Sequence, residues 1–380
     1  MRRGWARAAG VWLAVGAAQL SATAGVFQRD NFRDTRWVAR GNTGVASIND
    51  GTSLFYNPAG LARIKGYGLE VLNPSLGANQ NFIGSFQNLS GFTSGDDPIS
   101  TKLLPFLGKP LAMQGNFFPY FHGPGFAAGF WDHLDAGAAY RDPVNPTLDA
   151  DMRNDWGLIF GGGWELIPGR LYAGASFRYQ ARRALQEPLT AGTVLSTPSS
   201  ELTSLFRRGD AYALNSGLQY VQQLPSKTQF IALGLSWEDM GSTAFRVRAG
   251  QPKLLRQAQQ LNAGVTYGIT GSVATIQFLA DMRQINNRTM DTAKKLNLGV
   301  DVEVANFALR TGLHQGYWTA GTSFYVLPVL SFDLSTYAEE VDSTAGSRQN
   351  RYWLIGFRAG VSLEKGARGK KKPRYTLDHL

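Results

Sequence analysis

The chain has 380 residues, 43% of them hydrophobic, no cysteine and a formal net charge of +10. The length suits one large domain or two small ones, and the missing thiols exclude disulfides and cysteine nucleophiles. Most of the charge sits at the ends, on Arg2, Arg3 and Arg7 and on Lys365, Arg368, Lys370, Lys371, Lys372 and Arg374, so the near-neutral middle argues against nucleic-acid binding.

The first element is a leader. Three arginines precede a mostly apolar run at 8–20, and Ala22-Thr23-Ala24 gives an A-x-A cleavage site. That pattern predicts a secretory signal peptide over 1–24, too short to span a membrane. No later run of 18 apolar residues occurs, so the exported chain is either soluble or crosses a membrane with strands.

Residues 25–65 are polar and irregular. Gly41-Asn42 and Asp50-Gly51 mark turns. LFYNPAGLA, at 54–62, predicts a short helix: Asn57 caps it and Pro58 stands at the first helical position, where no N–H is needed. Further on, 101–113 (TKLLPFLGKPLAM) reads as a short amphipathic helix, beside loop apolar residues Phe92, Leu103, Leu104, Phe106 and Leu107.

Strands begin near Tyr67 and dominate beyond residue 113. In 170–181, Leu171, Ala173, Ala175, Phe177 and Tyr179 alternate with Tyr172, Gly174, Ser176, Arg178 and Gln180. The same period of two runs through 155–164, 228–237, 275–283, 295–304, 317–326 and 351–363. Runs of about 10 residues suit membrane strands better than sandwich strands of about 5–6. The apolar faces end in Trp156, Trp164, Trp237, Trp318 and Trp353, as an interfacial girdle does. The opposite faces carry Gly, Ser, Asn and mixed charges, as a wet or plugged lumen does. The fold class expected is all-β: a transmembrane antiparallel β-barrel of about 14 strands over 66–363. Long links are expected at 89–112, 142–154, 182–208, 239–257 and 284–294, alternating with tight turns.

Irregular backbone at membrane depth must be surrounded by protein or water. Residues 25–65 therefore read as an N-terminal hatch (plug) folded into the barrel; the alternative is a periplasmic extension. Residues 364–380 read as a basic C-terminal tail, either solvated or touching anionic lipid, the cell wall or a periplasmic partner.

The segment ARGNTGVASINDGTSLFYNPAGLARI, at 39–64, resembles the hatch of the FadL/TodX family of outer-membrane transporters for hydrophobic compounds, with Asn57, Pro58 and Ala59 matching its Asn-Pro-Ala motif. GLSWEDMG and GLHQGYWTAGTSF are similar to the PorV-like and TraF-like branch of secretion and conjugation barrels. The resemblance implies a plugged outer-membrane barrel for passive uptake of hydrophobic compounds such as long-chain fatty acids. Its alternative is an accessory barrel that binds exported proteins. The partners expected are outer-membrane lipid and a hydrophobic small molecule, with no nucleic acid. The chain departs from the family in ending on the basic tail, and no residue maps onto a fatty-acid pocket.

The catalytic inventory is thin. Four histidines and no HExxH, CxxC or GxSxG pattern argue against a zinc site, a cofactor or an enzyme. His133 and Asp135 are spaced for a dyad but read as a loop or rim feature. The lumen faces offer more. Asp281, Arg283, Lys295, Asp301, Glu303, Arg310, Asp333, Glu339 and Arg358 come from successive strands, with Arg40, Asp50 and Arg63 on the hatch. One reading is a paired network that fixes the plug. The other is a gate or acid head-group site in which Arg310 or Arg358 grips a carboxylate.

Overall fold

The computed structural model describes residues 30–89, 109–141, 147–189, 205–226, 228–248, 253–340 and 349–363. The leader, the tail and the apolar residues at 92 and 103–107 lie outside them.

Seventeen paired segments form one antiparallel sheet. Tyr67–Leu72 and Ser75–Asn79 both pair with the last strand, so they are one strand, β1, broken at Asn73-Pro74. Leu111–Phe117 and Tyr120–Gly123 both pair with Phe126–Arg141 and form β2, broken at Phe118-Pro119. Proline removes a ladder N–H, and both breaks fall on one. Arg246–Val247 is only a two-residue ladder inside a connection. The remaining strands are β3 (Phe126–Arg141), β4 (Thr147–Ile167), β5 (Leu171–Leu189), β6 (Arg207–Gln223), β7 (Gln229–Glu238), β8 (Gln260–Thr270) and β9 (Ala274–Met282). They continue as β10 (Leu296–Val304), β11 (Phe307–His314), β12 (Tyr317–Leu327), β13 (Leu330–Glu340) and β14 (Gln349–Leu363). The sheet is a closed barrel of 14 strands, because β1 meets β14.

Burial assigns the faces. Leu158, Phe160 and Trp164 point outward at 59%, 56% and 59% exposure, while Arg178 and Gln180 point inward at 1% and 0%. Apolar outside and charged inside inverts a water-soluble protein; such a surface is stable only against hydrocarbon. No helix among the described residues is long and apolar enough to cross a membrane. Trp156, Trp318 and Trp353 lie near the long-connection end and Trp164 near the tight-turn end, all exposed. Trp237 departs from the expected girdle. It is 2% exposed, and its indole N–H donates to Gln259 Oε1 at 3.2 Å under the 239–259 connection.

Three boundaries differ from the sequence reading. Residues 147–154 belong to β4 and 182–189 to β5, so the links expected at 142–154 and 182–208 are shorter. Their polar composition imitates a loop, but cross-strand pairing continues through them, with Asp155 opposite Arg182. These strands have 21 and 19 residues, about twice a membrane span of about 9–11, and rise past the apolar band. Residues 111–113, expected to end a helix, begin β2; a helix instead occupies Gln80–Leu89.

Candidate functional site

Residues 30–64 lie almost wholly buried within the barrel lumen. The chain runs from the long-connection end, where Arg153 donates to the Asp30 carbonyl, to the tight-turn end, where Lys65 and Gly66 lead into β1. Three short helices build it: Thr35–Ala39, Ser53–Tyr56 and a 3-10 turn at Pro58–Arg63. Helices this short are not stable alone, so the wall must hold them.

Asn57 does so from the motif expected at 57–59. Its Oδ1 accepts from Ala59 N at 3.1 Å, capping the 3-10 turn. Its Nδ2 donates to the carbonyls of Val45 at 2.7 Å, Leu218 at 3.1 Å and Leu235 at 3.2 Å. One side chain thus shapes the hatch and ties it to β6 and β7. The approach is close enough to demand glycine in the wall: a Cβ on Gly217 would stand 1.8 Å from Asn57 Oδ1, and one on Gly234 would stand 2.3 Å from the Val45 carbonyl. Asp281 provides a second tie, accepting from Gly44 N at 2.7 Å and Val45 N at 3.0 Å.

The lumen charges fall into two layers. Near the tight-turn end, Asp301 Oδ2 meets Arg40 at 3.0 Å and Arg310 at 3.1 Å. Arg310 continues through Ser323 to Asp333, whose carboxylate takes Arg358 on two edges at 2.8 and 3.1 Å. Both arginines expected to grip an acid head group are thus already engaged by the protein. Nearer the long-connection end, Arg283 lies 3.3 Å from Glu238 and 3.4 Å from Asp30. Arg33 pairs with Glu339 at 2.6 Å, Arg178 with Asp239 at 2.7 Å, and Arg182 with Asp155 at 2.6 Å. Such pairs gain little net stability when made but cost about 3–5 kcal/mol when one partner is removed. Their effect is to fix register between hatch and wall.

On the hatch itself, burial pushes the Asp50 carboxyl up. Arg36 at 3.0 Å and bonds from Thr52 outweigh that and hold it below the usual range. Trp37 lies between Arg36 and Arg40, whose guanidinium carbons stand 4.4 and 4.1 Å from its ring.

A different chemistry occupies the side facing β2–β4. Phe32 and Phe55 of the hatch stack at 4.5 Å, and Phe55 meets Phe118 at 5.0 Å and Trp131 at 5.6 Å. Ile48, Leu54, Leu61, Tyr120 and Ile159 complete this apolar cluster. It lies directly behind the two proline breaks. There the Asn73 side chain stands in for ladder backbone, accepting from Phe118 N at 2.6 Å and donating to the Phe118 carbonyl. The backbone ladder of the wall is thus interrupted beside the apolar cluster.

Among the other residues singled out in the sequence, Glu303 and Lys295 are buried on the lumen side. The His133 ring bonds Asn116 at 2.6 Å, while Asp135 lies toward Arg33 and Arg153, so no dyad forms. Among the described residues no group of His, Asp and Glu is placed to hold a metal. Sequence reading missed Arg153, Asp155, Arg182, Glu238 and Asp239. The first three were assigned to loops or their edges. The last two follow Trp237, where the strand run was expected to end. Their signal was the alternation that continues past those limits.

No protein-family model matches the sequence, and no curated protein matches it. Solved structures do. A mutant of the TodX monoaromatic hydrocarbon channel aligns at a TM-score of 0.50 and 10% identity, over 87% of this chain and 98% of that one. The fold is that of the FadL/TodX-type barrels. The Ralstonia pickettii toluene transporter TbuX aligns at 0.47 and 11% identity, covering 86% of this chain and 98% of its own. A Pseudomonas aeruginosa FadL homologue aligns at 0.38 and 11% identity, covering 87% and 97%.

Proposed function

We propose that the protein is an outer-membrane conduit for passive passage of hydrophobic compounds, gated by its hatch. The observation that carries this reading is the aromatic cluster of Phe32, Phe55, Phe118 and Trp131 behind the broken strands β1 and β2. In this closed state the rings of the hatch fill the apolar space themselves. A flat aromatic or an acyl chain of similar size replaces Phe32 and Phe55 at small net cost. Burying one such ring is worth roughly 1.5–3 kcal/mol, whichever molecule supplies it. The molecule enters from the long-connection end, takes the place of the hatch rings, and leaves through the wall at Asn73-Pro74 and Phe118-Pro119. No energy source is involved, so flux follows the gradient. The solved barrel of this fold that is named a monoaromatic hydrocarbon channel supports the substrate class. Long-chain fatty acids belong to the same apolar class.

The test is uptake of labelled toluene and of a labelled long-chain fatty acid by proteoliposomes holding the mature protein, with an unrelated barrel as control. Entry of either above control, raised further by Phe55→Ala, is expected. Control-level entry of both, together with an exported protein retained on the purified barrel, would sink the conduit reading and favour an accessory role.

A further inference from the structure

Arg63 ends the hatch and is 4% exposed. The other buried hatch arginines each have a carboxylate: Arg33 has Glu339, Arg36 has Asp34 and Asp50, and Arg40 has Asp301. Arg63 has none. Its Nη1 donates to the neutral Gln219 Oε1 at 3.1 Å, and its Nε is buried without an acceptor. Burial pulls its pKa down to about 10, opposed only by Tyr172. A buried cation facing no anion is costly, and proteins normally pair it.

Arg63 lines a pocket between the hatch and strands β7–β11. The pocket also takes in Arg40, Arg310, Asp301, Glu303 and Phe230 and reaches Thr270 and Thr275 beside the β8–β9 turn. Asp301 is shared by Arg40 and Arg310. With both carboxylates ionised, three arginines leave the lining one positive charge in excess. The Nε–Nη2 edge of Arg63, which presents two parallel N–H groups, meets no acceptor among the described residues. That edge matches the two oxygens of a carboxylate.

We propose that this pocket at the tight-turn end is a binding site for a single monovalent carboxylate, held by the Arg63 guanidinium. The ligand is either a free small carboxylate or the head group of an amphipathic one. The site is separate from the exit proposed above at Asn73-Pro74 and does not depend on it.

The test is isothermal titration of the detergent-purified full-length protein with sodium acetate and with sodium octanoate. Folding of each variant is checked by heat-modifiable gel migration. Saturable binding of at least one probe is expected, weakened at least tenfold by Arg63→Met and less by Arg63→Lys, which keeps the charge but loses the fork. Should Arg63→Met fail to fold, Gln219→Glu tests the same point: it places a carboxylate on Arg63 and is expected to weaken binding at least tenfold. Binding of acetate identifies a free carboxylate, and binding of octanoate alone identifies a head group. No binding of either probe by folded wild-type protein, or equal binding by a folded variant, overturns the proposal. Uptake of toluene in proteoliposomes is unaffected by either result.

Discussion

Replacing Asn57 by alanine separates the hatch from the wall. The capping bond to Ala59 N is worth about 1 kcal/mol, within a range of about 0.5–2. The amide has two N–H groups for three carbonyls, so it supplies about two further bonds at roughly 1 kcal/mol each. The total, about 3 kcal/mol, falls on hatch docking and not on the strand ladders. At about 1.4 kcal/mol per tenfold, hatch opening becomes more frequent by on the order of a hundredfold. Amide hydrogen exchange over 44–62 reads this directly, with β12–β14 as internal control. Asn57→Asp sharpens the test. Aspartate caps a helix as well as asparagine does, but it cannot donate to Val45, Leu218 and Leu235. It is therefore expected to loosen the hatch at least as much as alanine. Exchange within threefold of wild type in the alanine variant, or a wild-type aspartate variant, would refute the tie.

Gly217→Ala pushes a methyl into Asn57 Oδ1 and is expected to loosen the hatch similarly. Combined with Asn57→Ala it adds little, because the clash partner is gone; additive exchange rates would contradict that. Asp155→Ala removes the carboxylate of Arg182 and is expected to cost about 3–5 kcal/mol, seen as a lower heat-modification temperature; an unchanged temperature would show the pair to be dispensable. Leu158→Arg, on the lipid face, is expected to cost about 2–4 kcal/mol if it lies at mid-membrane, read by folding into lipid vesicles against denaturant. Asp50 is held below its ordinary value of 3.8 when the hatch is docked. Its stabilisation is complete above that value and is lost as pH falls through the docked value. Hatch cleavage by pepsin is expected to rise below about pH 3.8, and less in Asp50→Asn; a pH-independent rate would count against the ion pair with Arg36.

The alternation of 170–181 and its fellow strands was enough to place Phe177 outside and Arg178 inside, because side chains alternate along any strand. Counted along the chain, such runs gave about 14 strands, and the barrel has 14, since each tight turn and each run is local. The cap at Asn57 was legible for the same reason: Ala59 is two residues away. What local sequence could not show is what Asn57 donates to. Leu218 and Leu235 lie 161 and 178 residues further on, and only barrel closure brings them to the hatch. The polar ends of β4 and β5 were hidden likewise. Arg182 read as a loop residue and Asp155 as the first residue of a strand until the register sets them opposite one another.

The charges expected on the lumen face of β10–β14 are buried, yet their pairing was a tertiary decision. Sequence put Arg310 and Arg358 on the lumen face; the register gave Asp301 to the first and Asp333 to the second, leaving neither free. Arg63 went the other way. It read as one more plug charge, and the fold alone left it facing Gln219, with no carboxylate among the described residues. Periodicity decides which face a side chain takes because it acts over two residues. Partnership depends on where strands hundreds of residues apart close around the hatch, and no local pattern encodes that.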